Sequence, residues 1–280
     1  MVRVQRGGTP TAGFEVAVSP MPAHLRPFIE SWTGYREWSP VPVRRLEYPT
    51  GRAVLIIEFG APIAVDARRH RVGFFAGIDD GASLTEFASA HAGVQLNLTI
   101  RGALAFGARP MHEMARHVVS LDDLEVSESL PEQLAGASTW TERFERVTQA
   151  LEQRLLDGRQ LSRVTAWALD RIDSTGGRVA IHQLATELGF SRKHLHDRFA
   201  REVGLSPKRY AEVQRFSRVL TRLRAGAPSL AHLALDLGYS DQSHLARDVR
   251  RFSSVTARAL SASLNDPIAR AVHELSVAPA

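Results

Sequence analysis

Histidines and carboxylates are the first residues to weigh for chemistry. His112, Glu113 and His117 approach the spacing of a zinc-hydrolase helix, in which two histidines four apart share a face and the glutamate acts as base. Here the second histidine is five residues on, and an i, i+5 pair does not share a helical face. His70 and His91 are isolated in the sequence, and no His-x-His metal motif occurs in the apolar runs. Walker loops, dinucleotide fingerprints and serine-centred nucleophile motifs are absent. The chain has no cysteine, which removes disulfides, thiolate zinc sites and a cysteine nucleophile. These residues point away from an enzyme and from a resident metal or cofactor. What remains is charge. Between Gly176 and Leu264, 15 Arg and Lys face 7 Asp and Glu, a local +8 in a chain of net charge +5. A basic block attached to a mildly acidic one suits a domain that meets a polyanion.

The elements that must present this charge are visible as a repeat. Leu184-Ala185-Thr186-Glu187-Leu188-Gly189-Phe190 recurs as Leu233-Ala234-Leu235-Asp236-Leu237-Gly238-Tyr239. After a one-residue slip, Ser191-Arg192-Lys193-His194-Leu195 aligns with Asp241-Gln242-Ser243-His244-Leu245. Each copy reads as a short helix, a glycine turn and a second helix. In the first copy Ile181, Leu184, Ala185 and Leu188 make one stripe, and Leu195, Phe199 and Val203 the next. In the second copy the stripes are Leu230, Leu233, Ala234 and Leu237, then Leu245, Val249 and Phe252. Gly189 and Gly238 suit the left-handed turn, and Ser191 and Asp241 suit N-caps. This is the helix-turn-helix layout, in which the first helix braces the second for entry into a major groove. Between the copies, Pro207 to Arg224 predicts a helix about 27 Å long with Tyr210, Val213, Phe216, Leu220 and Leu223 on one side. Neighbouring major-groove faces lie about 34 Å apart, so such a helix serves both as core and as spacer between two reading heads.

Leu184 to Phe199, Gly204-Leu205-Ser206-Pro207 and Gly238-Tyr239-Ser240-Asp241-Gln242-Ser243-His244-Leu245 together resemble the DNA-binding domain of the AraC family, over about Thr165 to Leu264. The resemblance implies that exposed positions early in each second helix face bases: Arg192, Lys193, His196 and Asp197, then Gln242, Ser243, Ala246 and Arg247. Arg suits guanine, Gln suits adenine, and Ala246 offers only a methyl contact. Asp197 has a second role open to it, pairing with Arg201 four residues on. His194 and His244 are expected to brace their helices or touch phosphate rather than read bases. Arg198, Arg201, Arg250 and Arg251 are candidates for phosphate contacts or for plain solvated surface. Two departures stand out. Ser254-Val255-Thr256-Ala257 lacks the Gly and Pro of Gly204 to Pro207, which predicts a looser exit from the second unit and a weaker grip. Val249 stands where an aromatic is common.

The first part of the chain has another texture. Arg52 to Gly60, Val72 to Gly77 and Val94 to Ile100 read as strands, the last alternating as a half-buried strand should. Pro22 to Trp32 and Pro110 to His117 read as helices. The fold expected is α+β in two domains: a β-rich sandwich or partial barrel with flanking helices over 1–137, then a double helix-turn-helix over 161–264. A connecting helix and linker occupy 138–160, with Trp140, Phe144, Val147, Leu151 and Leu155 inward, serving either the β-domain or a coiled-coil dimer seam. A break at Asn265-Asp266-Pro267 opens a tail over 265–280. The architecture is similar to AraC-family members whose front half binds a small effector, dimerises, or both. Trp32, Tyr35, Trp38, Tyr48, Phe74 and Phe75 are aromatics for a pocket or, more simply, for a core. No apolar run reaches the roughly 18 residues of a membrane span, and with no secretory signal the chain is expected in the cytoplasm. The reading is a sequence-specific transcription regulator whose partners are double-stranded DNA, a small effector or a second copy of the chain, and RNA polymerase. Two alternatives stand beside it: a small-molecule-binding protein with a degenerate DNA-binding domain, and an enzyme with a DNA-targeting tail.

Overall fold

The computed structural model describes residues 1–107, 109–124, 126, 129–226, 229–264, 268 and 271. The expected break at Asn265-Asp266-Pro267 lies outside them. The front half is one antiparallel sheet of nine strands among these residues: β1 Arg3–Gly8, β2 Gly13–Val18, β3 Ile29–Glu47, β4 Ala53–Glu58, β5 Ile63–Val65, β6 Arg68–His70, β7 Gly73–Ala76, β8 Ser83–Leu98 and β9 Val118–Ser120. The strand order is β1-β2-β3-β8-β4-β7-β9, with the β5–β6 hairpin attached to β8. Strand alternation divides its side chains. Ala53, Leu55, Ile57, Phe75, Val94, Leu96 and Leu98 enter a large core, while Ile56 and Phe74 join Ile63 and Val65 in a small cluster on the other side.

The large core is closed by helices α1 Ile100–Phe106, α3 Leu130–Gly136 and α4 Trp140–Asp157, with the short α2 Met111–Met114 between them. Trp140, Phe144, Val147, Leu151 and Leu155 of α4 are all buried here, so the stripe that could have served a dimer seam is occupied by the protein's own sheet. Trp32 packs against Phe144 in a tilted pair, ring centroids 4.8 Å apart.

Two expected helices are corrected. Over Pro22 to Trp32 only a single 3-10 turn forms, Ala23–Leu25, and β3 has begun by Ile29. Pro27 has no N–H to continue a helix, and Trp32 is held in the front core by its position on the strand. Over Pro110 to His117 the helix stops at Met114, because Arg116 turns to φ 61° and gives its N–H to the Ile78 carbonyl at 3.1 Å. His112 and His117 therefore do not lie on one helix.

The rest is helical: α5 Arg163–Ser174, α6 Ile181–Glu187, α7 Arg192–Val203, α8 Pro207–Arg224, α9 Leu230–Asp236, α10 Gln242–Ser253 and α11 Ala257–Ser263. Tyr210, Val213, Phe216 and Leu220 of α8 are buried at the centre of one core shared by both helical pairs. Phe199 packs on Tyr210 and Phe216 stacks on Phe252, so the spacer holds each pair by an aromatic contact. No described helix is long and apolar enough to cross a membrane.

Candidate nucleic-acid interface

The two helical pairs are built alike, fifty positions apart. α6 ends at Gly189 with φ 69°, and α9 ends at Gly238 with φ 77°, the left-handed conformation that glycine adopts without a Cβ penalty. Ser191 Oγ then accepts the His194 N–H at 3.2 Å to start α7. Asp241 Oδ1 accepts the His244 N–H at 2.7 Å to start α10. Such a cap stabilises a helix by about 1 kcal/mol. The Asp241 carboxyl is held below the usual range by that backbone N–H and by Ser240.

Leu195, Phe199 and Val203 on α7, and Leu245, Val249 and Phe252 on α10, fix which way each helix faces. Arg192, Lys193, His196 and Asp197 are exposed on α7, and Gln242, Ser243, Ala246 and Arg247 are exposed on α10. The two sets occupy the same positions relative to their cores. Asp197 does not reach for Arg201: it takes the neighbouring His196 Nδ1 at 3.2 Å. His194 stacks on Phe190 at 4.7 Å, and His244 meets Tyr239 edge-on at 5.1 Å while bonding Ser240 Oγ. Both histidines thus tie the second helix of a pair to the glycine turn before it.

Of the four further arginines, Arg201 and Arg250 are exposed, Arg198 is half-buried, and Arg251 is bound to Glu212 of α8 at 3.2 Å. The counterpart of Arg198 in the second unit is Asp248, which is buried, and burial raises the pKa of its carboxyl. The expected looser exit from the second unit is corrected. Ser254 takes φ 61° where Gly204 takes φ 98°. Thr256 Oγ1 accepts the Ala259 N–H at 3.3 Å, as Ser206 Oγ accepts that of Arg209 at 3.2 Å. The turn keeps its shape without glycine or proline, at the cost of a strained serine.

No local sequence signal marks the seam between the halves. Ile78 and Ala115 of the front half enter the helical core beside Val203 and Leu205. A Cβ on Gly204 would lie 2.8 Å from Ala115 Cβ and 2.9 Å from Ile78 Cγ2. Asp80 takes Arg116 Nε at 2.5 Å and Arg209 Nε of α8 at 2.5 Å. Burial works against the charged Asp80 carboxylate, but the bond from Arg116 and the charges of both arginines outweigh it and hold its pKa low. On the other side, Tyr48 Oη and Ser263 Oγ are 2.7 Å apart. The seam uses α7, which packs on α1 and α2, the turn after it, one side of α8 and the end of α11, while the eight positions named above on α7 and α10 stay exposed.

The front sheet also buries a polar network. His91, isolated in the sequence, is not isolated in the fold: its Nδ1 lies 3.4 Å from Glu58 and its Nε2 3.4 Å from Glu37. Tyr35 gives its hydroxyl to Glu58 at 2.5 Å, and Arg45 forks onto Glu37. Beside it is a hollow lined by Glu15, Arg36, Glu37, Trp38 and His91. Among the described residues no group of three or more His, Asp and Glu is placed to hold a metal ion.

Residues 184–263 match the family described as a helix-turn-helix domain. No curated protein matches the chain. Among solved structures, similarity is found to the C-terminal domain of AraT, a response regulator from Geobacillus stearothermophilus, at 17% identity and a TM-score of 0.35, over 38% of this chain and 88% of that one. ToxT from Vibrio cholerae O395 is similar at 9% identity and a TM-score of 0.46, over 86% of this chain and 99% of that one. The AraC-like transcriptional activator CuxR is similar at 15% identity and a TM-score of 0.31, over 81% of this chain and 86% of that one. Likenesses this distant carry no functional weight.

Proposed function

From the premise that the C-terminal domain is a helix-turn-helix DNA-binding domain of the AraC type, we propose that the chain is a sequence-specific transcription regulator whose front domain controls its DNA binding. One observation supports this above the others: eight side chains, four on α7 and four at the same positions on α10, are all exposed on helices whose opposite faces are locked in a shared core. Arg192, Lys193 and Arg247 offer donors to guanine, and Gln242 offers the paired donor and acceptor that suit adenine. Ser243 and His196 add single polar contacts, Asp197 orients His196, and Ala246 meets a thymine methyl. Arg198, Arg201 and Arg250 flank these positions and suit phosphate, which positions the protein without reading sequence. The spacer α8 is about 27 Å long, which keeps the heads within reach of successive major-groove faces about 34 Å apart.

In this reading the chain binds and does not catalyse. Control comes through the front domain, by a small effector or a second copy, with RNA polymerase as the downstream partner. The hollow beside Glu37 and His91 is the place on the sheet where polar side chains collect for an effector.

Arg192→Ala and Arg247→Ala should each change which base is preferred at one position, by about 1–3 kcal/mol between bases. Arg250→Ala should weaken all sites alike. A gel-shift panel over duplexes altered one base pair at a time separates the two behaviours. A uniform loss for all three variants would reject the assignment.

A further inference from the structure

A line of ion pairs runs from the front domain to the second reading helix. Asp80 holds Arg209 Nε at 2.5 Å, Arg209 Nη1 lies 3.3 Å from Glu212 Oε2, and the same oxygen takes Arg251 Nη1 at 3.2 Å. The inner members are well covered, with side-chain exposures of 10% for Asp80, 27% for Arg209 and 15% for Glu212, so solvent screens them less than a surface pair. Arg251 is the outermost, at 44%.

The internal repeat shows what is unusual here. Arg201 occupies on α7 the position that Arg251 occupies on α10, and it is exposed with no ion-pair partner among the described residues. One flank arginine is therefore free for a phosphate, and its twin is tied back to the spacer helix by Glu212.

Arg209 decides how firmly. It presents its Nε to Asp80 and only one terminal nitrogen, at 3.3 Å, to Glu212. A guanidinium and a carboxylate bond most strongly as a two-pronged fork. Without Asp80, Arg209 can turn its whole fork to Glu212 and, with Lys208 Nζ already 4.0 Å from Oε1, satisfy that carboxylate without Arg251. Asp80 is not stranded by the exchange, since Arg116 Nε and Nη2 stay on it at 2.5 and 3.1 Å. Asp80 also sits at the seam: it lies two residues after Ile78, which packs where the Gly204 turn leaves no room for a Cβ.

We propose that this relay is an autoinhibitory contact: while Asp80 of the front domain holds Arg209, Glu212 keeps Arg251 off the DNA backbone, and loosening the seam releases Arg251 to a phosphate. The proposal rests on the DNA-binding reading above and adds the route by which the front domain sets affinity.

The test uses the full chain and a duplex selected by the wild type. D80N should bind more tightly than the wild type at low salt, with a slope of log affinity against log salt steeper by about one, so that its advantage shrinks about threefold for each fourfold rise in salt, the signature of one added phosphate contact. E212Q, which frees Arg251 directly, should do the same, and D80N/E212Q should gain nothing more. Removing an acid also raises affinity through the overall field, so R251A decides. It should change wild-type binding little and abolish the gain of D80N and of E212Q. A gain that survives R251A, or no gain in either single variant, overturns the relay. Should D80N fail to give a native melting transition, E212Q with and without R251A tests the tie on Arg251, and R209Q tests the link to the front domain: with no Arg209 to compete, Glu212 keeps Arg251, so R209Q should show no gain, and a gain in R209Q that R251A abolishes would overturn the relay. A wild-type chain that enriches no duplex at all would overturn the DNA-binding reading, and the relay with it.

Discussion

His91 sits 5% exposed between two carboxylates, and this has a consequence for pH. Burial alone would favour the neutral ring, but hydrogen bonds and charge from Glu37 and Glu58 outweigh it and raise the pKa above the ordinary 6.5. The folded state thus binds the proton more tightly than the unfolded chain. The resulting stability is fully present below the unfolded pKa and is lost as pH rises through the raised one. Denaturant unfolding across that window should show stability falling as pH rises, and His91→Gln should flatten the slope. A profile unchanged by the substitution would mean that the ring titrates as it does in water. Nothing local in the sequence marks this network. Tyr35, Glu58 and His91 lie on three different strands, and only the register that sets Glu37 opposite His91 on β3 and β8, and Glu58 opposite Gly93 on β4 and β8, brings them together.

At the scale of elements, the turn after α10 makes a sharper prediction. Ser254 is exposed and held at φ 61°, a conformation that costs a non-glycine residue about 1–3 kcal/mol. Ser254→Gly should relieve part of that strain and raise the melting temperature by about 2–4 °C for each 1 kcal/mol gained. A lower melting temperature would show that the serine is not strained there. The helical half was largely legible in the sequence because its signals are local: stripes at helical spacing, Ser191 and Asp241 as caps, Gly189 and Gly238 as turns. α8 runs over Pro207–Arg224, the span its proline and apolar stripe predict. The front half was less legible because strand partners, rather than local preference, fix its long elements. β3 passes Pro40 and Pro42 by shifting register between Ser39 and Val43. β8 begins at Ser83 and passes through Ala88-Ser89-Ala90-His91-Ala92, which has little strand preference of its own but lies against β3. The exit turn departs from its expectation for a related reason. Residue type suggested a lost glycine turn, whereas the core positions Ala257 and Leu260 of α11 hold Ser254 in the shape that glycine would have adopted.

For the whole molecule, the helical half is one body with two outward faces, docked on the front half by α7 and the turn after it, by α8 and by α11. Which eight positions share those faces was readable from the repeat, since fifty residues of spacing preserve helical phase when the cores match. The seam was not readable, because Asp80 and Arg209 meet only once both halves have folded. The central claim is that both reading helices engage one duplex together, and hydroxyl-radical footprinting of the full chain on its selected site tests that claim most directly. Two protected segments on the same face of the duplex, centred about 10–10.5 base pairs apart, are the result the account predicts. A single protected segment, unchanged when Gln242 and Arg247 are both replaced by alanine, would contradict it.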